Sequence, residues 1–323
     1  MEYRTLGRSG LRVSTIGLGC NNFGRAKTLT ETQEGSSAVI DAAIEAGITL
    51  FDTADIYGSE RGLSESRMGV ALRGGKRERI VLATKFGMDM GGANGPDWEA
   101  RGSRRYIRIA VEASLRRLQT DWIDLYQLHR PDPLTPIEET IAALDELIAE
   151  GKVRYIGHSN LAGWQVVEAD YLAKLGGHPR FISAQSEYSL LNREVETEVL
   201  PAVNAYGLGF LPFFPLYNGL LTGKFTRAGG PADSRIMALR PHLAENAPWD
   251  TIERYAAFCE QREVSMLVAT FTWLLAQPGL TSVIAGATRP EQVAQNALIP
   301  GSWDATPAEI AEISEIFRAP EGS

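Results

Sequence analysis

Cysteine is scarce: a chain of 323 residues holds two, Cys20 and Cys259. That supplies no disulfide framework and no metal-ligand spacing, so a reducing compartment is expected and a metal is not. Basic residues are outnumbered, 32 Lys and Arg against 40 Asp and Glu, leaving a net charge of −8 and a pI near 5.2. No basic stripe stands out, which argues against a general nucleic-acid binder. Long apolar runs are missing too. The most apolar helix-like stretch, Val264 to Ala276, contains Ser265, Thr270 and Thr272 and is too short to cross a bilayer. The opening residues, M-E-Y-R-T-L-G-R-S-G, lack the apolar core of a signal peptide. A cytoplasmic protein with no nucleic-acid or membrane partner is expected, and the sequence is silent on its oligomeric state.

What is present is a globular composition, 44% hydrophobic and 22% charged, organised around Ile48 to Gly58. Ile48, Thr49, Leu50 and Phe51 read as a buried strand. Asp52 and Asp55 follow abruptly, then Tyr57 and a glycine, Gly58, that turns the chain. A carboxylate at the end of a buried strand is costly without a cationic partner. The next two strand ends supply the answer: Ile80 to Thr84 runs into Lys85, and Ile123 to Leu128 runs into His129. An acid, a phenol, an amine and an imidazole therefore arrive at three successive strand ends.

The rest of the chain repeats strand and helix. A hairpin is expected over Tyr3 to Ser14 and a first strand over Thr15 to Gly19. The G-L-G-C-N-N-F-G that closes this strand has Asn22 where a dinucleotide fingerprint needs its third glycine, which excludes that motif. Helices are expected over Ser36 to Ala46 and Leu63 to Leu72, then, after a glycine-rich loop from Gly87 to Gly102, from an N-cap at Ser103. Thr135-Pro136-Ile137-Glu138 reads as a helix start with Thr as cap and Glu closing a capping box. Strands are predicted at Val153 to Gly157, Phe181 to Gln185, Gly209 to Phe214 and Ser282 to Ala285, with helices between them. The connection from Leu216 to Trp249 is too long for a linker and should carry function. A further helix, Ala308 to Phe317, packs outside. Eight strands alternating with helices, and no domain linker over residues 1–323, predict a single α/β domain, a (β/α)8 barrel whose strand C-termini converge on one mouth.

Seven stretches resemble the aldo-keto reductases: F-D-T-A-D-I-Y-G, A-T-K-F-G, D-L-Y-Q-L-H, G-K-V-R-Y-I-G-H-S-N, E-Y-S-L, G-L-L-T-G-K and A-G-A-T-R-P-E-Q. The resemblance covers nearly the whole chain and is nearest the bacterial branch that is similar to potassium-channel β subunits. It implies NADPH-dependent reduction of an aldehyde or ketone, and the reverse oxidation. Asp52, Tyr57, Lys85 and His129 match the family's catalytic tetrad. The chemistry also follows from the residues. A tyrosine of pKa near ~10 is a poor acid at pH 7. A lysine ammonium ~4 Å away favours phenolate by ~4 kcal/mol at an effective dielectric of ~20. Tyr57 is then the expected general acid, Asp52 keeps Lys85 charged, and His129 orients the carbonyl oxygen.

The resemblance also implies a cofactor site. Ser159, Asn160 and Gln185 match residues that hold the nicotinamide carboxamide, and Phe213 stands where a stacking tyrosine is usual. Leu216, Asn218, Gly219 and Lys224 open the long loop expected over the pyrophosphate. Gly219 to Lys224 is no P-loop, being one spacer short with Phe225 in place of Ser or Thr. Gly286, just past strand eight, is expected among the cofactor-binding residues, and Thr288, Arg289, Gln292 and Asn296 match the adenosine end. The substrate pocket is expected from Asn22, Phe23, Met88, Trp98, Arg130 and the long loop. His158, Ser186, Phe214 and Tyr217 depart from the family pattern and blur that pocket. Cys20 reads as a small packed residue rather than a nucleophile. Two other readings stand beside the reductase: a Schiff-base aldolase using Lys85, and an NADPH-binding redox-sensing subunit of another protein.

Overall fold

In the computed structural model, which describes residues 1–231, 234, 236, 237 and 240–318, the predicted hairpin is formed by β1 (Tyr3–Thr5) and β2 (Arg12–Ser14). Eight parallel strands follow: β3 (Ile16–Gly19), β4 (Leu50–Asp52), β5 (Val81–Phe86), β6 (Ile123–Leu128), β7 (Val153–Ser159), β8 (Ser183–Glu187), β9 (Gly209–Phe213) and β10 (Val283–Gly286). They pair in chain order, with β10 returning to β3. The remaining seam, between β9 and β10, is held at Phe210, whose N donates to Gly279 O and whose O accepts from Thr281 N, both at 2.9 Å. The result is the nearly closed (β/α)8 barrel that the alternation predicted.

Strand pleating decides what the barrel contains. Leu50, Ala83, Leu125, Leu211 and Ile284 form one apolar cluster inside it, joined by Leu6 and Val13 of the hairpin. Side chains two residues further along each strand share the same inward face. That step reaches Asp52, Lys85, Gln127, Phe213 and Gly286. One pleat therefore carries the interior from an oily plug to a mostly polar layer. The hairpin seals the opposite end. Gly7, at φ +56°, sits so close beneath β8 and β9 that a Cβ would lie 2.5 Å from Ile182 O and 2.6 Å from Gly209 N, so only glycine fits.

Outward-facing apolar residues pack the barrel against its helices: α1 (Gln33–Glu45), α2 (Leu63–Ala71), α3 (Arg104–Leu118), α4 (Ile137–Ala149), α5 (Gly163–Gly176), α6 (Val199–Tyr206), the short α7 (His242–Glu245), α8 (Trp249–Gln261), α9 (Met266–Leu275), α10 (Pro290–Ala297) and α11 (Pro307–Ile316). Ser103 caps α3 as expected, accepting from Tyr106 N. α1 starts three residues before the predicted point because Thr32 accepts from Gly35 N and caps it. The expected capping box at α4 does not form. The helix begins one residue later than that reading requires, with Pro136 as the N-cap residue and no side-chain cap, and the Thr135 hydroxyl donates to Asp132 Oδ2 at 2.7 Å. Residues 232, 233, 235, 238 and 239 of the long connection lie outside the described residues. Among the described residues no helix is long and apolar enough to cross a membrane.

Candidate active site

A cleft of about 800 Å³ opens at the C-terminal mouth of the barrel, with Asp52, Tyr57 and His129 on its wall. Lys85 is fully buried behind them. Its Nζ donates to Asp52 Oδ2 at 2.7 Å, to Thr53 O at 2.9 Å and to Tyr57 Oη at 3.4 Å. All three ammonium protons are thus directed. Burial pulls the Lys85 pKa down, but the Asp52 and Tyr57 charges and hydrogen bonds outweigh it, and the net shift is upward. Asp52 Oδ1 accepts from Gln185 Nε2 at 3.0 Å and Gln127 Nε2 at 3.3 Å. The buried carboxylate is therefore both paired and hydrogen-bonded, as its location demands.

The backbone explains why Tyr57 reaches Lys85. Beyond β4 the chain keeps bonding along β5, Thr53 N donating to Ala83 O at 2.9 Å and Asp55 N to Lys85 O at 3.1 Å. Tyr57 N then turns back onto Ala54 O at 3.1 Å, and Tyr57 O accepts from Ser64 N at 3.0 Å at the start of α2. His129 is placed by a similar extension, its N donating to Phe86 O at 2.8 Å. The His129 ring meets Tyr57 edge-on, centroids 5.8 Å apart. Its buried Nδ1 has no hydrogen-bond partner among the described residues. Burial, and then the Lys85 and Arg130 charges, hold the imidazole well below its usual pKa. His129 is neutral at physiological pH, and burial pushes Cys20 well above the usual thiol range, leaving it a packed, unreactive thiol.

Most of the residues expected around a cofactor lie on the same cleft: Asn160, Gln185, Phe213, Leu216, Asn218, Gly219, Lys224, Gly286, Thr288, Arg289, Gln292 and Asn296. Ser159 is not on the wall. It is buried behind Asn160, whose Nδ2 donates to Ser159 Oγ at 2.9 Å and to His129 O at 3.0 Å. After β9 the chain bends sharply, with positive φ at Phe214, Tyr217, Asn218 and Gly219, a costly run for non-glycine residues. Leu220 and Leu221 anchor it by full burial. At α10, Thr288 N and Oγ1 both donate to Gln292 Oε1, at 2.8 and 3.2 Å.

Asn22, Met88 and Arg130 line the cleft as expected, whereas two other pocket residues need correction. The turn Phe23 N to Cys20 O, 3.2 Å, rolls Phe23 fully into the core. Trp98 is 70% exposed and lies under Arg105, 3.8 Å from its ring centroid. Its loop is pinned outward onto α3 by Arg105 Nη1 donating to Pro96 O. Of the departures from the family pattern, Phe214 lines the cleft, but His158 is buried in the core, edge-on to Phe181 at 5.3 Å. Arg25, Thr28, Ile56, Pro215 and Gln295 also line the cleft without having been anticipated, as does Thr222 of the long loop that was expected there. Ile56 and Thr222 stand inside two of the matching stretches beside residues that were singled out, whereas Arg25, Thr28, Pro215 and Gln295 belong to none of them; several stand on βα loops, all of which open on this face.

The site fits a dinucleotide. Asn218 Oδ1 is buried on the cleft with no partner among the described residues. Lys224, Thr288 and Arg289 offer the cations and donors that phosphates need.

Comparison with known proteins agrees with this geometry. The Aldo/keto reductase family profile matches residues 15–317. The chain is 40% identical over 301 residues to an uncharacterised oxidoreductase, YrpG, of Bacillus subtilis, covering 91% of this chain and 89% of the relative. It is 35% identical to a probable voltage-gated potassium channel subunit beta of Oryza sativa, over 92% of this chain and 90% of that one. It is 34% identical to L-glyceraldehyde 3-phosphate reductase of Escherichia coli, over 98% and 92%. A barrel, a mouth of polar strand ends and a family match over nearly the full length coincide, and the chain belongs to the aldo/keto reductase family of carbonyl-reducing oxidoreductases.

Proposed function

We propose that the chain reduces an aldehyde or ketone to an alcohol with NADPH, using Tyr57 as the general acid. The observation that carries this reading is the three-way placement of Lys85 Nζ on Asp52, Thr53 O and Tyr57 Oη. Bound NADPH would supply the hydride. The chain's own part is to deliver a proton to the carbonyl oxygen. As the Tyr57 proton leaves, the Lys85 ammonium stabilises the charge left on the phenol oxygen. Neutral His129 holds the carbonyl oxygen in line. The 3.4 Å contact is long for a hydrogen bond, as is common before a substrate closes the site. Arg25 and Arg130 on the cleft, with the name of the Escherichia coli relative, make small phosphorylated aldehydes the first substrates to try. Loss of NADPH absorbance with a panel of aldehydes, ketones and sugars tests the proposal. No turnover across the panel overturns it and favours an NADPH-binding regulatory subunit, the reading kept open by the rice relative.

The same contacts bear on the aldolase alternative. A Schiff-base lysine must lose its proton, yet Lys85 is saturated with acceptors and shifted towards the charged form. Borohydride added to protein and carbonyl substrate is expected to trap no lysine adduct by mass spectrometry. An adduct mapped to Lys85 would move the protein to that class.

Cofactor preference is proposed to rest on Arg289. It lies on the cleft beside Thr288 at the start of α10, where a helix N-terminus and a guanidinium together suit a ribose phosphate. Arg289→Ala is expected to weaken NADPH by roughly 1.5–3 kcal/mol, or ~10- to 150-fold, with little effect on NADH. Tryptophan-fluorescence titration of both cofactors at two salt concentrations measures it. Equal losses for the two would show that Arg289 does not discriminate.

A further inference from the structure

A second cluster of ionisable groups lies behind the tetrad, on the outer side of β4 and β5. Asp55 is fully buried two residues before Tyr57. Its Oδ2 accepts from Asn94 Nδ2 at 3.0 Å, and its Oδ1 has no partner among the described residues. Asn94 belongs to the glycine-rich loop after β5, and its Oδ1 accepts from Arg117 Nη1 of α3 at 2.8 Å. Arg117 Nε in turn donates to Glu65 Oε2 of α2 at 2.7 Å. Glu65 is also fully buried, and its Oε1 accepts from the hydroxyl of Thr84, the residue before Lys85, at 2.6 Å.

The chain of bonds thus begins at the acid's own segment and ends beside its lysine. Asp55 N already binds Lys85 O, and Thr53 O already binds Lys85 Nζ. The distance between Tyr57 Oη and Lys85 Nζ is therefore set by a segment that two side chains fasten from behind, the Thr53 hydroxyl to the Ser64 hydroxyl of α2 at 2.9 Å and, nearer the acid, Asp55 to Asn94. We infer that Asp55 is a positioning residue for Tyr57, locked through Asn94, Arg117 and Glu65, and that ionisation of its carboxyl strains the lock by setting a second buried anion against Glu65. This inference rests on the reading of Tyr57 as the proton donor.

Charge counting explains the strain. The groups facing Asp55 are Glu65 from α2, Arg117 and Tyr106 from α3, Tyr126 from β6 and the amide of Asn94. Burial pushes both phenols up, so neither adds charge near neutral pH. One guanidinium therefore faces two carboxyls. Burial first, then the Glu65 charge, raises Asp55 to about 8 against the opposing pull of Arg117. Below that pH a neutral carboxyl leaves Arg117 and Glu65 balanced. Above it a second buried anion sits uncompensated and repels Glu65, which pushes the 53–57 segment away from its anchor.

Alcohol oxidation separates this effect from Tyr57 itself. In that direction Tyr57 must accept a proton, so its own ionisation makes the rate rise with pH. A wild-type rate that falls at least ~5-fold from its maximum by pH ~10, against less than ~2-fold in Asp55→Asn, is the expected result from a second titration. The same falling limb in both proteins would overturn the inference. A second readout needs no turnover: the ionisation of Tyr57, taken as the ultraviolet difference between each protein and its Tyr57→Phe counterpart. Asp55→Ala should shift that midpoint upward because the phenol drifts from Lys85, and Asn94→Ala should do so more weakly. If Asp55→Ala does not fold, Asn94→Ala alone decides. An unchanged midpoint in the folded variants overturns the positioning role. A shifted midpoint in a protein that reduces nothing supports the lock and rejects only the carbonyl-reductase reading.

Discussion

Tyr57→Phe is expected to slow carbonyl reduction on the order of 10²- to 10⁴-fold while leaving NADPH binding nearly intact. The substitution removes one oxygen from the end of the chain Asp52–Lys85–Tyr57 and little else. Lys85 keeps its 2.7 Å and 2.9 Å bonds to Asp52 Oδ2 and Thr53 O, so the buried cation stays paired. The ring keeps its edge-on contact with His129, so the cleft wall stays in place. No neighbour can take over the proton. His129 is held well below its usual pKa by burial and by Lys85 and Arg130, and an imidazole already neutral at pH 7 has no acidic proton to give. Lys85 is shifted the other way, towards keeping its proton. Single-turnover rates over pH 6–9, beside cofactor titrations, measure both halves of the expectation. A variant within about threefold of the wild type would reject Tyr57 as the acid.

How much of this was legible depended on which force placed each residue. Asp52, Lys85 and His129 stood out because a buried strand that ends in a polar residue breaks a simple alternation, and barrel topology brings every strand end to one mouth. The hairpin, the eight strands and most helices followed from the same periodicity. Loop side chains did not. Phe23 and Trp98 stand on βα loops that face the mouth, yet one turned into the core and the other was pinned outward by Arg105. Loop direction is set by such single contacts, and composition carries no trace of them. Thr135 failed in a similar way, because the helix starts one residue later, with Pro136 in the N-cap position, and its hydroxyl turns back to an aspartate three residues earlier. Asp55 shows the limit most clearly. Its position beside Tyr57 was visible, but its partners Asn94, Glu65 and Arg117 come from a loop and two helices whose approach only the fold defines.

Lys85→Met is expected to cost both stability and rate, and a paired variant separates the two. Lys85 and Asp52 form an ion pair at 2.7 Å with their side chains only 0% and 4% exposed. Removing the cation leaves a buried carboxylate whose remaining donors are the Gln127 and Gln185 amides. An uncompensated buried charge of this kind costs about 3–5 kcal/mol, visible as a lower midpoint in urea denaturation. Adding Asp52→Asn removes that charge and keeps an amide oxygen for the two glutamines. The pair Asp52→Asn with Lys85→Met should therefore recover ~1–3 kcal/mol of the loss. Catalysis should not recover with it. The Tyr57 oxygen still lacks the ammonium that stabilises its developing charge, so reduction stays about 10²- to 10³-fold below wild type in both variants. A double variant that regained rate together with stability would show that Lys85 serves the fold alone, and the proton-donor role of Tyr57 would lose its support.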